Sequence, residues 1–171
     1  MAYRFVDPMV VKNPSAIVSA STSPVVPVGT ERKAVDSVLG EGTFKYLPGC
    51  GSAAAGIMVF YKQSLSGVAS SGATPNVAST GRPVAVAMGT VPSGTYGWFQ
   101  ITGNAIIKKN ATKVSPLSKV FQSSTAGRIA GTGVASAGKQ IINAIASPSA
   151  TVASATSTAI VQINRPSMAG A

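Results

Sequence analysis

Arg82-Pro83-Val84-Ala85-Val86-Ala87-Met88, then Tyr96-Gly97-Trp98-Phe99-Gln100-Ile101-Thr102-Gly103, Ala105-Ile106-Ile107-Lys108-Lys109 and Lys119-Val120-Phe121: this stretch decides the fold. Its apolar runs are short and rich in Val, Ile and aromatic residues, and Gly, Pro and Ser separate them. That combination reads as consecutive β-strands joined by turns. The stretch holds the only Trp of the chain and none of the residue types that usually carry catalysis. Alternation along 96–102 puts Trp98 and Gln100 on one face and Phe99 and Ile101 on the other. Both faces therefore carry large apolar groups. Such a strand is either covered on both sides, by core and by a neighbour or arm, or is an ordinary core strand with a half-exposed Trp. The second arrangement is the expected one.

Working outward, the same signals recur. Strands are expected at 43–47, 56–62, 83–88, 96–102, 105–109, 119–122, 140–145 and 158–164, with loops at 63–82 and 146–157. Short strands at this spacing, separated by Gly/Pro turns, point to an all-β protein, a small β-barrel or β-sandwich. At most one short helix is expected, over 30–40. Thr30 would cap it, Val35, Val38 and Leu39 would share a face, and Gly40 would end it. Residues 1–30 form an extended N-terminal arm, because Pro8, Pro14, Pro24 and Pro27 block helix and hold their predecessors extended. The arm is suited to lying across a neighbouring subunit, against the alternative of a flexible terminus. The organisation is thus arm 1–30 and β-rich domain 31–171.

The 171 residues suit one domain with a real core. Ala, Gly, Ser, Thr and Val dominate, and aromatics make up only 6%. Small side chains each supply little buried area, so contacts between subunits are expected to add to the stability. Charged residues are 11% of the chain and mean hydropathy is +0.31, which excludes the signature of intrinsic disorder. Low charge implies either a surface covered by neighbours or a plain Ser/Thr-rich one. The 14 Lys and Arg face only four acids, Asp7, Glu31, Asp36 and Glu41, for a net charge of +10. A basic chain attracts acidic partners. The cations are scattered, Arg32-Lys33 and Lys108-Lys109 being the densest pairs, and aromatics do not interleave with them. An acidic protein surface is therefore the expected partner, and direct nucleic-acid binding is not expected. No apolar segment follows Arg4 and Asp7, and no run is long enough to span a bilayer. Synthesis in the cytoplasm and no membrane partner are expected.

Little chemistry is available. The chain has no histidine, which removes Ser-His-Asp and Cys-His systems, imidazole metal ligands and the commonest general base. The single Cys50 rules out an internal disulfide and a thiolate zinc site. Gly133-Val134-Ala135-Ser136-Ala137-Gly138-Lys139-Gln140 starts as a phosphate loop and then fails, with Gln140 where the magnesium-binding Ser or Thr belongs. No carboxylate downstream is left to hold the metal. Asn110-Ala111-Thr112 fits a glycosylation sequon by chance. No catalytic residue, metal or cofactor is expected.

The pattern Gly81-Arg82-Pro83-Val84-Ala85-Val86-Ala87-Met88, Tyr96-Gly97-Trp98-Phe99-Gln100-Ile101-Thr102-Gly103 and Lys119-Val120-Phe121 resembles tailed-phage capsid decoration (cement) proteins. The ending Ala159-Ile160-Val161-Gln162-Ile163-Asn164-Arg165-Pro166-Ser167-Met168-Ala169-Gly170 is similar to their closing strand and tail. The resemblance covers roughly residues 40–170 and carries no catalytic signature. It implies a small, non-enzymatic β-rich protein on the outside of an icosahedral head, a homotrimer bound to the major capsid protein. Tyr96, Trp98 and Phe99 are the expected structural anchors. Arg32, Lys33 and Arg165 are the cationic interaction candidates. Two alternatives stand beside this: another virion structural protein (head-fibre base, tail tube or minor capsid component), and a nucleic-acid-binding β-barrel.

Overall fold

The computed structural model describes residues 3–6, 17–51, 53–61, 70–73, 81–131, 139–148 and 157–170. Within them the chain is all-β, with no helix. The strands in order are β1 (Arg4–Phe5), β2 (Glu31–Asp36), β3 (Gly40–Pro48), β4 (Met58–Tyr61), β5 (Ser70–Ala73), β6 (Val84–Ala87), β7 (Tyr96–Lys108), β8 (Lys119–Gln122), β9 (Ile129–Ala130), β10 (Gln140–Ala146) and β11 (Thr158–Met168). They form one antiparallel sheet in the order β1-β2-β3-β7-β11-β10-β8-β9, with a branch through β6 to β4 and β5. A single parallel bridge, Lys109 to Ile129, brings the β9 edge back toward the end of β7. The sheet does not close into a barrel.

The branch point is β7. The strands expected at 96–102 and 105–109 are one continuous strand of 13 residues. Gly103, which looks like a turn residue in the sequence, instead lets this strand change partners. Before it, Tyr96 to Thr102 pair with Pro48 to Thr43 of β3. From Thr102 on, along the opposite edge, Thr102 to Lys108 pair with Asn164 to Thr158 of β11. The other edge of the first half takes β6, at Val86↔Gln100 and Ala87↔Phe99.

The fork explains why small residues suffice for the core. Both β4 and β6 are buried on both faces. Met58, Phe60, Val84 and Val86 join Ala105, Ile107, Ile141, Val161, Ile163 and Met168 in one core. The alternate residues Val59, Tyr61, Ala85 and Ala87 join Leu47, Val91, Phe99 and Ile101 in a second. Short Ala and Val side chains let layers approach closely, and each fully buried large side chain still contributes about 1.5–3 kcal/mol.

A third cluster covers the far face of β7. Trp98 is only 3% exposed, so the expected half-exposed Trp is corrected. Its cover comes from the described pieces of the N-terminal arm. Phe5 of β1 packs on Trp98 with ring centroids 4.9 Å apart, and Tyr46 lies 5.1 Å away. Ile17 is buried in the same cluster. Ser21 bridges Tyr96, and a Cβ on Gly89 would stand 2.0 Å from the Val18 carbonyl oxygen, so the arm crosses there in close contact. Phe5→Ala is expected to uncover the sole Trp. Its emission should shift to the red and its quenching by acrylamide should rise; an unchanged spectrum would mean that β1 does not shield it.

The helix expected over 30–40 is a β-hairpin. Glu31 to Asp36 pair with Lys45 to Gly40. The burial alternates with a period of two, Ala34 and Asp36 inside and Lys33 and Val35 outside. Thr30, the expected cap, instead donates its hydroxyl to the Pro27 carbonyl at 2.6 Å, while Gly40, the expected stop, belongs to the turn. Asp36 Oδ1 accepts from the N–H groups of Val38 (2.8 Å) and Leu39 (3.0 Å), and Gly40 has φ +78°. A side-chain oxygen accepting nearby amides, followed by a left-handed Gly, closes a three-residue hairpin loop as readily as it ends a helix. Two further strands fall where none is expected: β5 lies inside the 63–82 loop, and β9 precedes the Gly-rich segment. Residues 132–138, most of the failed phosphate loop, and 149–156 of the second expected loop lie outside the described residues.

Candidate functional site

The six residues singled out in the sequence fall into two groups. Phe99 is fully buried and Trp98 nearly so, while Tyr96 is half-buried, stacked on Tyr46 at 6.2 Å. These three build the fold, and only Tyr96 keeps part of its ring exposed. Beneath the arm, a buried amide completes their face. Gln100 Nε2 donates to the carbonyls of Thr102 (3.0 Å) and Asn104 (3.1 Å). The Tyr3 hydroxyl also donates to Asn104 O at 3.1 Å. Burial raises the Tyr3 pKa above its ordinary value, partly offset by its hydrogen bond with Gln100.

Arg32, Lys33 and Arg165 lie around the β2–β3 hairpin, but only two of them engage its acids. Lys33 pairs with Glu41 at 2.8 Å on the open surface. Arg165 clamps Glu31 with two bonds, Nη1 to Oε1 at 3.1 Å and Nη2 to Oε2 at 2.6 Å. Its reach depends on a kink in β11, because Arg165 itself has φ +49°. Lys45, to which no sequence motif points, approaches the same carboxylate at 3.2 Å. Its Nζ also lies 5.3 Å from the centre of the Tyr61 ring. The side chain of Lys45 is 6% exposed, so its charge needs that partner. Glu31 is thus a junction of β2, β3 and β11 and is neutralised within the chain.

This junction has a pH signature. The Arg165 clamp holds the Glu31 carboxyl below its usual value of 4.5; desolvation opposes it, and Lys45 adds to the lowering. A carboxyl lowered on folding stabilises the protein above its unfolded pKa, and that stability is lost as pH falls through the folded value. Glu31→Gln is therefore expected to lower stability at pH 7 by about 1 kcal/mol, discounted for solvent screening of a partly exposed pair. The gap between wild type and variant should narrow below pH 4.5 in urea unfolding. A gap that stays constant down to pH 2.5 would remove the junction from the acid sensitivity.

Most of the remaining cations follow the last acid of the sequence. No Asp or Glu follows Glu41 in the sequence, while Arg82, Lys108, Lys109, Lys113, Lys119, Arg128 and Lys139 all do. Lys109 is buried, and its Nζ donates to the carbonyls of Asn110 (3.2 Å) and Thr112 (3.0 Å). Burial lowers its pKa. Lys119 opens β8 on the surface and lines an open groove of about 550 Å³ with Gln140, Asn143, Gln162 and Asn164. Sequence reasoning missed this groove, since its amides are spread over two strands, β10 and β11, that lie apart in the sequence.

Cys50 is buried in the second core among Leu47, Ala53 and Val91. Among the described residues no group of three or more His, Cys, Asp or Glu side chains is placed to hold a metal ion. No protein-family model matches the chain, and no curated protein matches it at a significant level.

Proposed function

We propose that this chain is a capsid decoration (cement) protein: non-enzymatic, bound as a homotrimer to the major capsid protein on the outer surface of a tailed-phage head, and stabilising that head. The observation that carries the reading is the coincidence of the resembling segments with the middle of the fold. Gly81 to Met88 holds β6, Tyr96 to Gly103 opens β7, Lys119 to Phe121 is β8, and Ala159 onward is β11. They support a rigid β-scaffold with outward faces free for docking. Cementing draws on many modest contacts over a broad surface, multiplied by copy number, and does not require a pocket. A net charge of +10 suits an acidic shell.

The test is stoichiometric. Particles made with the protein should carry it in hundreds of copies on the outside and lose DNA at a lower temperature when it is missing. A handful of copies per particle would favour a fibre base, tail or minor capsid role. Tight DNA binding that weakens steeply with salt would favour the nucleic-acid reading.

A further inference from the structure

We propose that the outer face of β7, β11, β10 and β8 is a docking groove for an extended, acidic segment of a partner protein. The inference rests on the reading of this chain as a surface-docking protein and identifies the docking face. Three observations converge on it. The first is a lapse in strand pairing. β10 meets β8 at Gln140↔Phe121 and at Ile145↔Lys119, so residues 141–144 stand against Val120 alone. On its other edge, pairing passes from Ile142↔Ser167 to Ala144↔Ile163, so Asn143 stands against Asn164, Arg165 and Pro166. Asn143 takes φ +57° at that point. Bulges on both edges of one strand bend it and re-aim its side chains, and here the result is the groove.

The second observation is the lining. Thr102, Gln140, Asn143, Gln162 and Asn164 bring hydroxyl and amide groups, and Lys119 brings the charge. Side-chain amides both donate and accept, which matches the alternating N–H and C=O groups of an extended main chain. Among the described residues no aromatic lines the groove, whereas a single-stranded nucleic acid uses stacking platforms.

The third is charge. The three described acids are all on the β2–β3 hairpin. Glu31 is taken by Arg165 and Lys45, Glu41 by Lys33, and Asp36 caps its own turn. Lys119 is exposed and forms no ion pair among the described residues, and the fourth acid, Asp7, lies outside them. Carboxylates on the docked segment would supply its counter-charge.

The experiment titrates the full chain, followed by amide NMR, with a blocked octapeptide of alternating Glu and Ser. The Gln/Ser analogue and an eight-nucleotide oligo-dT are titrated in parallel. Shifts should concentrate at residues 102–103, 119, 140–145 and 162–164. Lys119→Glu should weaken the Glu/Ser peptide about tenfold, and Lys119→Gln less, as expected for loss or reversal of one close charge pair. Lys119→Arg, which keeps the charge, should stay within about threefold of wild type. The proposal is overturned by an absence of shifts at millimolar peptide, by a Lys119→Arg loss as large as that of Lys119→Glu, or by oligo-dT binding the same residues more tightly. On particles, wild-type occupancy by Lys119→Glu would sink the docking face and leave the decoration reading intact. Absence of the wild-type protein from particles would remove that reading without touching the peptide result.

Discussion

Phe99→Ala is expected to lower the stability of the folded chain by about 3–5 kcal/mol, the usual cost of emptying a large aromatic site in a packed core. Phe99 has no exposed surface. It sits where β7 is held on both edges, opposite Lys45 of β3 and Ala87 of β6. Its ring packs in the core with Leu47, Val59, Ala85 and Ile101. Ala85 and Ala87 are already minimal, so they cannot extend into the space left behind. Collapse would have to move whole strands, and β6 is fixed from its other side by β4. For a chain of this size the loss corresponds to a fall of roughly 6–20 °C in thermal midpoint. Val38→Ala is the control: Val38 is 85% exposed at the hairpin tip, and its truncation should stay within about 0.5 kcal/mol. A Phe99→Ala midpoint within a few degrees of wild type would mean that the fork is not packed as described.

The same fork marks what was legible in the sequence. Composition and period gave the all-β class, because Val84 to Ala87 and Tyr96 to Thr102 have no other stable reading. Strand existence was visible wherever four or more β-formers ran together, as at Met58 to Tyr61. Three features were not visible, each for a physical reason. The hairpin of β2 and β3 hid behind Thr30 and Gly40, expected as cap and stop of a helix: Thr30 Oγ1 instead donates to the Pro27 carbonyl, and Gly40 closes the turn. The continuity of β7 hid behind Gly103, because a glycine at a partner switch and a glycine in a turn look alike from one strand alone. The cover over Trp98 came from Phe5 and Ile17, far away in the chain, and local alternation carries no such information. The candidate site was the least legible part. The cations at 32, 33 and 165 attracted notice, yet Lys33 and Arg165 are consumed by Glu41 and Glu31. The absence of acids beyond Glu41 was the sequence signal that pointed to the later cations, Lys119 among them.

Gly103→Ala is the second change expected to be severe, at about 2–5 kcal/mol from backbone strain and overpacking together. Gly103 has φ +94°, a conformation that an L side chain rarely adopts. A Cβ there would also lie 2.4 Å from the Glu41 carbonyl oxygen and 3.0 Å from Gly42 Cα. Both contacts are main chain, so no side-chain rotation relieves them. Either β3 retreats from β7 or β7 straightens, and straightening breaks the transfer from β3 to β11 at Thr102, which pairs with Thr43 on one side and Asn164 on the other. Gly40→Ala separates the two contributions. Gly40 also has a positive φ, +78°, but a Cβ there would meet nothing within 4 Å. It should therefore lose only the conformational part, about 1–2 kcal/mol. Urea unfolding of both variants measures the difference, and the excess for Gly103→Ala is the steric contribution of the fork. Equal losses at the two glycines would show that β3 and β7 can part without cost, and the continuous β7 would then not be what holds the two halves of the sheet in register.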